Sequence, residues 1–235
     1  MADKKERLWM NLSEPKTLTF DLGITPKDDA IVEEYERKQS LLEEASRYER
    51  YKTSGVPSKF FDTSIESYVA VSEEEKRNKA SVEEFSRNPS NRIFILCGKN
   101  GNGKSHLGCG AVRECGGVYV TSSNLCIEYD AATSYHSKRT REEIISYYSN
   151  RSGVVVIDEC GKYTLNPELE KFLLALILCA RYENNRPTWF ITNASKKGFV
   201  EFLGKSVFDR LTEVCTTLEF NGESKRKLMR KIVSS

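Results

Sequence analysis

The sequence predicts an α/β fold in which a parallel, five-stranded sheet is flanked by helices and preceded by a short N-terminal helical arm. From residue 93 onward, apolar strand-like runs alternate with helix-like runs, which is typical of a parallel sheet covered on both faces. One run, Val154-Val155-Val156-Ile157, is apolar without alternation, as expected of a central strand buried on both faces.

Length and charge limit the classes of protein to consider. The 235 residues are enough for one sizeable domain and a small appendage. With 36 Lys and Arg against 34 Asp and Glu, the formal net charge is +2, so the chain is not a polycation. Any contact with nucleic acid therefore has to come from local basic surfaces.

The cysteines and apolar segments indicate the compartment. The seven cysteines include no C-x-x-C pair, so they suggest neither a zinc site nor a disulfide framework. No segment approaches the roughly 20 apolar residues that cross a bilayer, and the first residues lack the apolar core of a signal peptide. We therefore expect a cytoplasmic protein that has no membrane partner.

The N-terminal region predicts an arm that is distinct from the main domain. Residues 1–27 show little periodicity, and residues 28–52 have the composition of a charged amphipathic helix. A break at residues 53–58 suggests a division into an arm, residues 1–54, and a domain, residues 55–235. The arm is either a docking element for another protein or a solvated helix. After the break, Val56, Pro57 and Phe61 are candidates for the apolar wall of a nucleotide base, although core packing would also explain them.

The segment Gly98-x-x-x-x-Gly103-Lys104-Ser105 follows a strand-like run, residues 93–97, and precedes a helix-like run. This spacing predicts a loop whose backbone N–H groups surround a triphosphate, with Lys104 at the β and γ phosphates and the Ser105 hydroxyl on Mg²⁺. The alternative is a glycine-rich turn with a chance lysine. We predict that the cofactor is bound by Gly98, Lys99, Asn100, Gly101, Asn102, Gly103, Lys104, Ser105 and His106.

Two carboxylates follow the central strand. After a predicted strand at residues 117–121 and helices at 123–131 and 138–149, the apolar run ends in Asp158 and Glu159. The carboxyl ends of strands in open α/β sheets meet at the ligand crevice, so both side chains should lie near the phosphate loop. Asp158 suits the Mg²⁺ shell and Glu159 suits activation of a water molecule. A surface turn could also carry this pair.

The last third of the chain predicts further helices and strands. Asn166 and Pro167 begin a helix whose predicted buried stripe includes Phe172, Leu173 and Ile177. A strand at residues 188–192 ends at Asn193, which either holds the attacking water or is a turn residue. Helices at 196–203 and 206–214 and a strand at 216–220 follow. The basic tail from Lys225 is either solvated or in contact with phosphate.

Three further segments show that the chain resembles a known family. Residues 185–188 with Ile191-Thr192-Asn193, residues 203–211, and residues 220–226 resemble successive motifs of the DnaC-type bacterial and phage helicase loaders and the related IstB-type transposition ATPases. Both belong to the AAA+ P-loop NTPases. The resemblance covers residues 55–229. It implies an ATPase that acts in DNA replication, binds ATP, Mg²⁺ and single-stranded DNA, and delivers a ring-shaped replicative helicase.

The resemblance also implies roles for individual residues. Asn193 would orient the attacking water, Arg210 would reach the γ-phosphate of a neighbouring subunit, and Arg226 would contact the nucleotide in cis. The protein would then be a homo-oligomer assembled through its ATP site. Two other functions stay open: a transposition regulator that binds double-stranded DNA and a transposase, and a small-molecule kinase that uses the same phosphate loop.

Overall fold

A computed structural model describes residues 29–89, 92–134, 137–162, 165–209, 213–222 and 224–225. The chain divides into two compact units, Met1–Leu42 and Glu43–Ser235. The first helix, α1 (Asp29–Lys52), contains the point of division, which thus comes before the boundary at residues 54 and 55 that the sequence suggests.

The described part of the smaller unit is the first half of α1. It carries many charges, as predicted, together with exposed apolar side chains. Val32, Tyr35, Leu41 and Leu42 are each at least half exposed.

The larger unit follows the predicted alternation of strands and helices. A short 3-10 helix, Ser58–Phe60, precedes the regular elements. The strands are β1 (Ile93–Gly98), β2 (Gly117–Thr121), β3 (Val154–Cys160), β4 (Thr188–Thr192) and β5 (Cys215–Phe220). The helices are α2 (Glu73–Arg87), α3 (Lys104–Cys115), α4 (Ser122–Ala131), α5 (Arg141–Asn150), α6 (Pro167–Glu183), α7 (Lys196–Leu203) and α8 (Lys205–Asp209).

The helix predicted over residues 206–214 is too long. Residues 213 and 214 form a turn before β5. The carbonyl of Val214 accepts a hydrogen bond of 3.0 Å from the backbone N–H of Ile93, so this residue is already committed to the sheet. Residues 213 and 214 thus form the connection into β5 and do not belong to a helix.

The five strands form one sheet in the order β2-β3-β4-β1-β5, and each neighbouring pair is parallel. The predicted α/β fold is therefore confirmed. Because the strands are parallel, their carboxyl ends share one edge of the sheet. This edge carries the glycine-rich loop after β1, the carboxylates at the end of β3 and Asn193 after β4.

Helices cover both faces of the sheet. Ile95 and Ile157 belong to an apolar cluster with residues of α4, α5, α6 and α7. Phe94 and Val156 belong to a second cluster with residues of α2 and α3. This two-sided burial explains the apolar run of β3, since successive side chains enter opposite cores.

The buried face of α6 differs from the predicted stripe. Leu173 and Ile177 are buried as expected, but Phe172 is 51% exposed and Arg181 is fully buried. Arg181 can be buried because its guanidinium donates hydrogen bonds to the backbone carbonyls of Tyr148 and Gly153 at 3.0 and 2.8 Å, among others. A pattern that counts arginine as a surface residue therefore leaves Arg181 out of the buried face of this helix.

In the parts of the chain that the structure describes, no helix is long and apolar enough to cross a membrane.

Candidate functional site

The glycine-rich loop has a backbone that depends on its glycines. Gly98, Gly101 and Gly103 have φ angles of +118°, +86° and +85°. At Gly98, a Cβ would lie 2.4 Å from the carbonyl oxygen of Phe220, and at Gly103 it would lie 2.5 Å from the ring of Tyr68. Side chains at these positions would therefore strain the backbone and collide with fixed neighbours.

Lys104 begins α3, and its ammonium group turns back over the loop. The Nζ donates hydrogen bonds to the carbonyl oxygens of Gly98 at 2.8 Å and Lys99 at 2.7 Å. Burial lowers the pKa of Lys104 to about 8, and the Asp158 carboxylate partly offsets that effect. The side chain is 5% exposed, and the attraction between its charge and an anion is stronger than it would be in bulk water.

Contacts with distant segments hold the loop in place. The Asn102 side chain is buried and donates to the carbonyl oxygens of Phe220 and Gly222 at 3.0 and 2.9 Å. The Tyr68 hydroxyl donates to the carbonyl of Asn102 at 3.0 Å, and the backbone N–H of Lys225 donates to Gly101 at 2.9 Å. The loop is thus braced by the segments before β1 and after β5.

A bulge at the end of β3 positions the two carboxylates. Ile157 pairs with Phe190 and Cys160 pairs with Thr192, so the two intervening residues of β3 face one residue of β4. The two intervening residues are Asp158 and Glu159. A bulge of this kind bends the strand and redirects its side chains.

Asp158 is buried and held by two donors. The Tyr119 hydroxyl donates to its Oδ2 at 2.5 Å, and the backbone N–H of Glu159 donates to its Oδ1 at 2.6 Å. Burial and the Asp158 carboxylate raise the pKa of Tyr119, while the nearby Ser105 hydroxyl lowers it slightly. Tyr119 therefore stays protonated and keeps its donor on Asp158.

Glu159 has a left-handed backbone, with φ of 60°, which is strained for a residue with a side chain. Its carboxylate forms an ion pair of 3.0 Å with Lys162. The turn that follows, at Gly161, is held by the buried carboxylate of Glu170. This carboxylate accepts hydrogen bonds from the Ser122 hydroxyl and, at 2.7 Å, from the backbone N–H of Gly161. These contacts hold the turn that presents Glu159.

The end of β4 is tied to the end of β3. The Thr192 hydroxyl donates to the carbonyl of Cys160 at 2.8 Å and accepts from the backbone N–H of Ala194 at 3.1 Å. Asn193, between these two anchors, lies beside the same cavity as the carboxylates.

One cavity of about 910 Å³ collects most of the predicted site. Its lining includes Asn100, Gly101, Gly103, Lys104, Ser105, His106, Asp158, Glu159 and Asn193. Gly98, Lys99 and Asn102 support the loop but do not line the cavity. Arg210 and Arg226 lie outside the described residues.

The apolar wall of the cavity differs from the candidates suggested by the sequence. It includes Phe60, Tyr68, Val69, Val71 and Ile191, and it does not include Val56, Pro57 or Phe61. Val56 is instead buried in the core. The 3-10 helix and the segment before α2 bring the actual wall to the loop, and sequence order alone does not show this.

Sequence reasoning missed three residues that line or brace the site. Tyr119 braces Asp158, Lys162 pairs with Glu159, and the Nζ of Lys225 lies 3.5 Å from the ring centroid of Tyr68 and 3.4 Å from the Oε1 of Glu75. Only Tyr119 carried a usable signal, since a tyrosine in an otherwise apolar strand needs a partner for its hydroxyl.

The residues fit a nucleotide and a magnesium ion. The loop supplies a glycine cradle at the start of a helix, with a buried lysine beside it, and these groups favour a polyphosphate. Ser105 and Asp158 supply a hydroxyl and a carboxylate oxygen. Magnesium prefers oxygen ligands and commonly binds through one or two protein groups together with substrate phosphates and water. Among the described residues, no group of three or more His, Cys, Asp or Glu side chains could hold a metal ion by itself.

Comparisons with known proteins agree with this geometry. The model of the family described as IstB-like ATP binding protein matches residues 45–232. The replicative helicase loader DnaC of Buchnera aphidicola subsp. Schizaphis graminum (strain Sg) is 26% identical over 167 residues. That match covers 67% of this chain and 66% of the loader, so the chain spans slightly less than two thirds of that relative.

Solved structures share the fold at lower identity. A crystal structure of the DnaC helicase loader superposes with a TM-score of 0.61 at 19% identity and covers 70% of this chain and all of that chain. The crystal structure of DnaI gives 0.58 at 18% identity, over 72% of this chain and 93% of that chain. AMPPCP-bound DnaA from Aquifex aeolicus gives 0.53 at 18% identity, over 76% of this chain and 56% of that chain.

Proposed function

The chain belongs to the family of IstB-like ATP-binding proteins, and from this premise we propose that it is an ATPase that delivers a ring-shaped replicative helicase to single-stranded DNA. The resemblance to DnaC-type loaders that the sequence indicates is confirmed by the family match and by the curated relative. The fold is that of an AAA+ P-loop NTPase.

The observation that carries the proposal is the single cavity that unites the loop after β1 with the ends of β3 and β4. We assign Lys104 to the β and γ phosphates and Ser105 and Asp158 to Mg²⁺. The ion, when bound, would neutralise charge on the phosphate oxygens. Glu159 would accept the proton of the attacking water, and Asn193 would orient that water.

Assembly of several copies is the second part of the proposal. Arg210 comes next in sequence after Asp209, and it would supply a positive charge to the γ-phosphate held by a neighbouring copy. An arginine supplied in trans accelerates phosphoryl transfer by about 10³ to 10⁵. Arg226 would contact the nucleotide of its own subunit. The rate of ATP hydrolysis per subunit should then rise with protein concentration, and Arg210→Ala should remove that dependence.

The helicase-loading part rests on the relative and on the arm. The curated relative is named a replicative helicase loader. The exposed apolar residues of α1, Val32, Tyr35, Leu41 and Leu42, give residues 1–54 a surface on which a partner could dock. We therefore propose that the arm contacts the helicase and that the ATPase unit controls its release onto DNA.

Affinity purification of the tagged chain from its native host tests the function. Glu159→Gln should hold ATP without turnover, and Lys104→Ala should bind ATP weakly. If the proposal is correct, a replicative helicase co-purifies with Glu159→Gln and is reduced or lost with Lys104→Ala. Recovery of no helicase with either variant, while both fold and differ in ATP affinity, would contradict the loader assignment.

A transposition regulator is the second candidate, and the description of the matching family as IstB-like favours it. The same purification separates the two functions, since a transposase would be recovered in place of a helicase. A regulator of this type would also bind double-stranded DNA more tightly than single-stranded DNA of equal length. A kinase is distinguished by turnover, because it should hydrolyse little ATP without an acceptor molecule.

A further inference from the structure

A second cavity, of about 370 Å³, lies at the opposite edge of the sheet, beside the starts of β2 and β3. Four arginines line it: Arg47 and Arg50 from α1, Arg113 from α3, and Arg151 from the end of α5. We infer that this cavity, named here the arginine cavity, binds the phosphate backbone of single-stranded nucleic acid. The inference rests on the proposed function, which requires DNA binding but does not locate it.

The charge of the arginine cavity is not neutralised within the described part of the chain. Its acidic lining residue is Glu114, whose Oε1 accepts a hydrogen bond of 3.2 Å from the backbone N–H of Ile65. None of the four arginines has an ion pair among the described residues. The cavity of about 910 Å³ at the glycine-rich loop is named here the ATP cavity, and there, by contrast, Lys162 and Lys225 are paired with carboxylates. Uncompensated arginines favour an anionic ligand.

Two of the arginines are held in position by protein contacts. Arg113 donates to the carbonyl of Thr63 at 3.2 Å, and its guanidinium lies 5.9 Å from the ring centroid of Tyr48. The guanidinium of Arg151 lies 5.3 Å from the ring centroid of Tyr147. Such contacts reduce the side-chain entropy that is lost when a ligand binds.

The positive surface extends beyond the cavity. The guanidinium of Arg139 lies 4.9 Å from the ring centroid of Tyr147, so the guanidinium groups of both Arg139 and Arg151 contact this ring. The nearby carboxylate of Glu128 accepts a hydrogen bond from Tyr148. Several arginines on one surface match the repeated phosphates of a strand better than one isolated anion.

The floor of the arginine cavity is open backbone. Gly116, Gly117 and Gly153 line it, and a Cβ at Gly117 would lie 1.9 Å from the carbonyl oxygen of Val154. Strand spacing therefore explains Gly117, and its effect is that this part of the lining carries no side chain. Glycines in the lining leave room for phosphate oxygens beside the guanidinium groups, and arginine binds phosphate through paired hydrogen bonds.

The test compares two double variants of the full chain that lose the same charge. Arg47→Gln/Arg151→Gln removes arginines from two elements of the arginine cavity, and Arg77→Gln/Arg87→Gln removes two exposed arginines of α2. Binding of a fluorescent oligothymidine of about 20 nucleotides is measured by anisotropy. Each titration is repeated between about 0.05 and 0.2 M salt. ATP affinity, measured in parallel, reports whether each variant is folded.

Loss of two phosphate contacts should lower the salt slope by about 1.4 and weaken binding at 0.1 M salt roughly 25-fold. The control variant should keep the wild-type slope. Equal slopes and affinities in the two variants would overturn the location while leaving the proposed function intact. Absence of DNA binding by the wild-type chain would overturn this inference, and the helicase purification would decide the proposed function separately. Equal competition by polyglutamate and by oligothymidine would reassign the cavity to acidic chains.

Discussion

Replacing the buried Arg181 by methionine should destabilise the protein strongly, although the residue is absent from both cavities. Its guanidinium makes five hydrogen bonds of 3.0 Å or less, to the end of α5, to the start of β3 and to the start of β4. The acceptors are the carbonyl oxygens of Tyr148, Arg151, Gly153 and Pro187 and the hydroxyl of Thr188. Arg181 thus connects three segments that meet at the amino edge of the sheet.

The magnitude follows from two opposing effects. Arg181→Met would leave two buried acceptors, on Tyr148 and Thr188, and two partly buried acceptors, on Arg151 and Gly153, without this donor. Each costs about 1 to 3 kcal/mol, and the partly buried ones are at the low end of that range. Pro187 keeps a second donor, the backbone N–H of Val155 at 3.2 Å, so four acceptors are affected, and their loss costs roughly 7 kcal/mol. Burial lowers the pKa of Arg181 from 12.5 to about 10, and removing the charge returns about 3 kcal/mol. The free energy of unfolding should therefore fall by about 4 kcal/mol, whereas its total for a protein domain is roughly 5 to 15 kcal/mol.

Urea unfolding followed by the fluorescence of the buried Trp189 measures this loss. Arg181→Lys keeps the charge but has fewer donors, so its stability should lie between those of the wild type and Arg181→Met. Arg77→Met on the exposed face of α2 serves as the control and should change stability by less than about 0.5 kcal/mol. A loss below about 1 kcal/mol for Arg181→Met, with an unchanged denaturant slope, would refute the assigned role of these hydrogen bonds.

Three predictions concern the ATP cavity. Because burial lowers the pKa of Lys104 to about 8, ATP affinity should fall as pH rises above that value, about tenfold by about pH 9. Lys104→Ala should bind ATP weakly at every pH. An ATP affinity of the wild type that does not change with pH would contradict this. Glu159→Gln should keep ATP binding but lose about 10² to 10⁴ in turnover, and equal turnover would remove Glu159 as the base. Tyr119→Phe removes a donor from Asp158 and should weaken Mg²⁺ binding about 10-fold to 100-fold, measured as the Mg²⁺ concentration at the midpoint of the rise in nucleotide affinity. Nucleotide binding without metal serves as the control and should not change. An unchanged Mg²⁺ midpoint would exclude this role for Tyr119.

The fold could be predicted largely because its central strands are runs of almost entirely apolar residues. The runs that form β2 and β4 have the predicted bounds, Gly117–Thr121 and Thr188–Thr192. The errors fall where tertiary contacts override local pattern. The helix predicted over residues 206–214 is too long because Val214 joins the sheet, and α6 buries Arg181 because carbonyl groups from other segments surround it.

The candidate site was predictable where it is continuous in sequence or where strand order fixes it. The glycine-rich loop is continuous, and the parallel sheet brings Asp158 and Asn193 to the same edge. The bulge in β3 was not predictable, since it depends on register with β4. Nor was the bond between Tyr119 and Asp158, which are 39 positions apart and meet only because β2 and β3 pair in register.

The strand β3 joins the two cavities. Gly153, which precedes it, lines the arginine cavity, and Asp158 and Glu159 near its other end line the ATP cavity. A strand of this length spans roughly 20 Å, more than twice the screening length of about 8 Å in physiological salt. Charges in the two cavities therefore interact little through solvent. Because β3 is buried and paired on both sides, any influence of ATP on nucleic-acid binding has to pass through movement of packed elements or through contacts between copies of the chain.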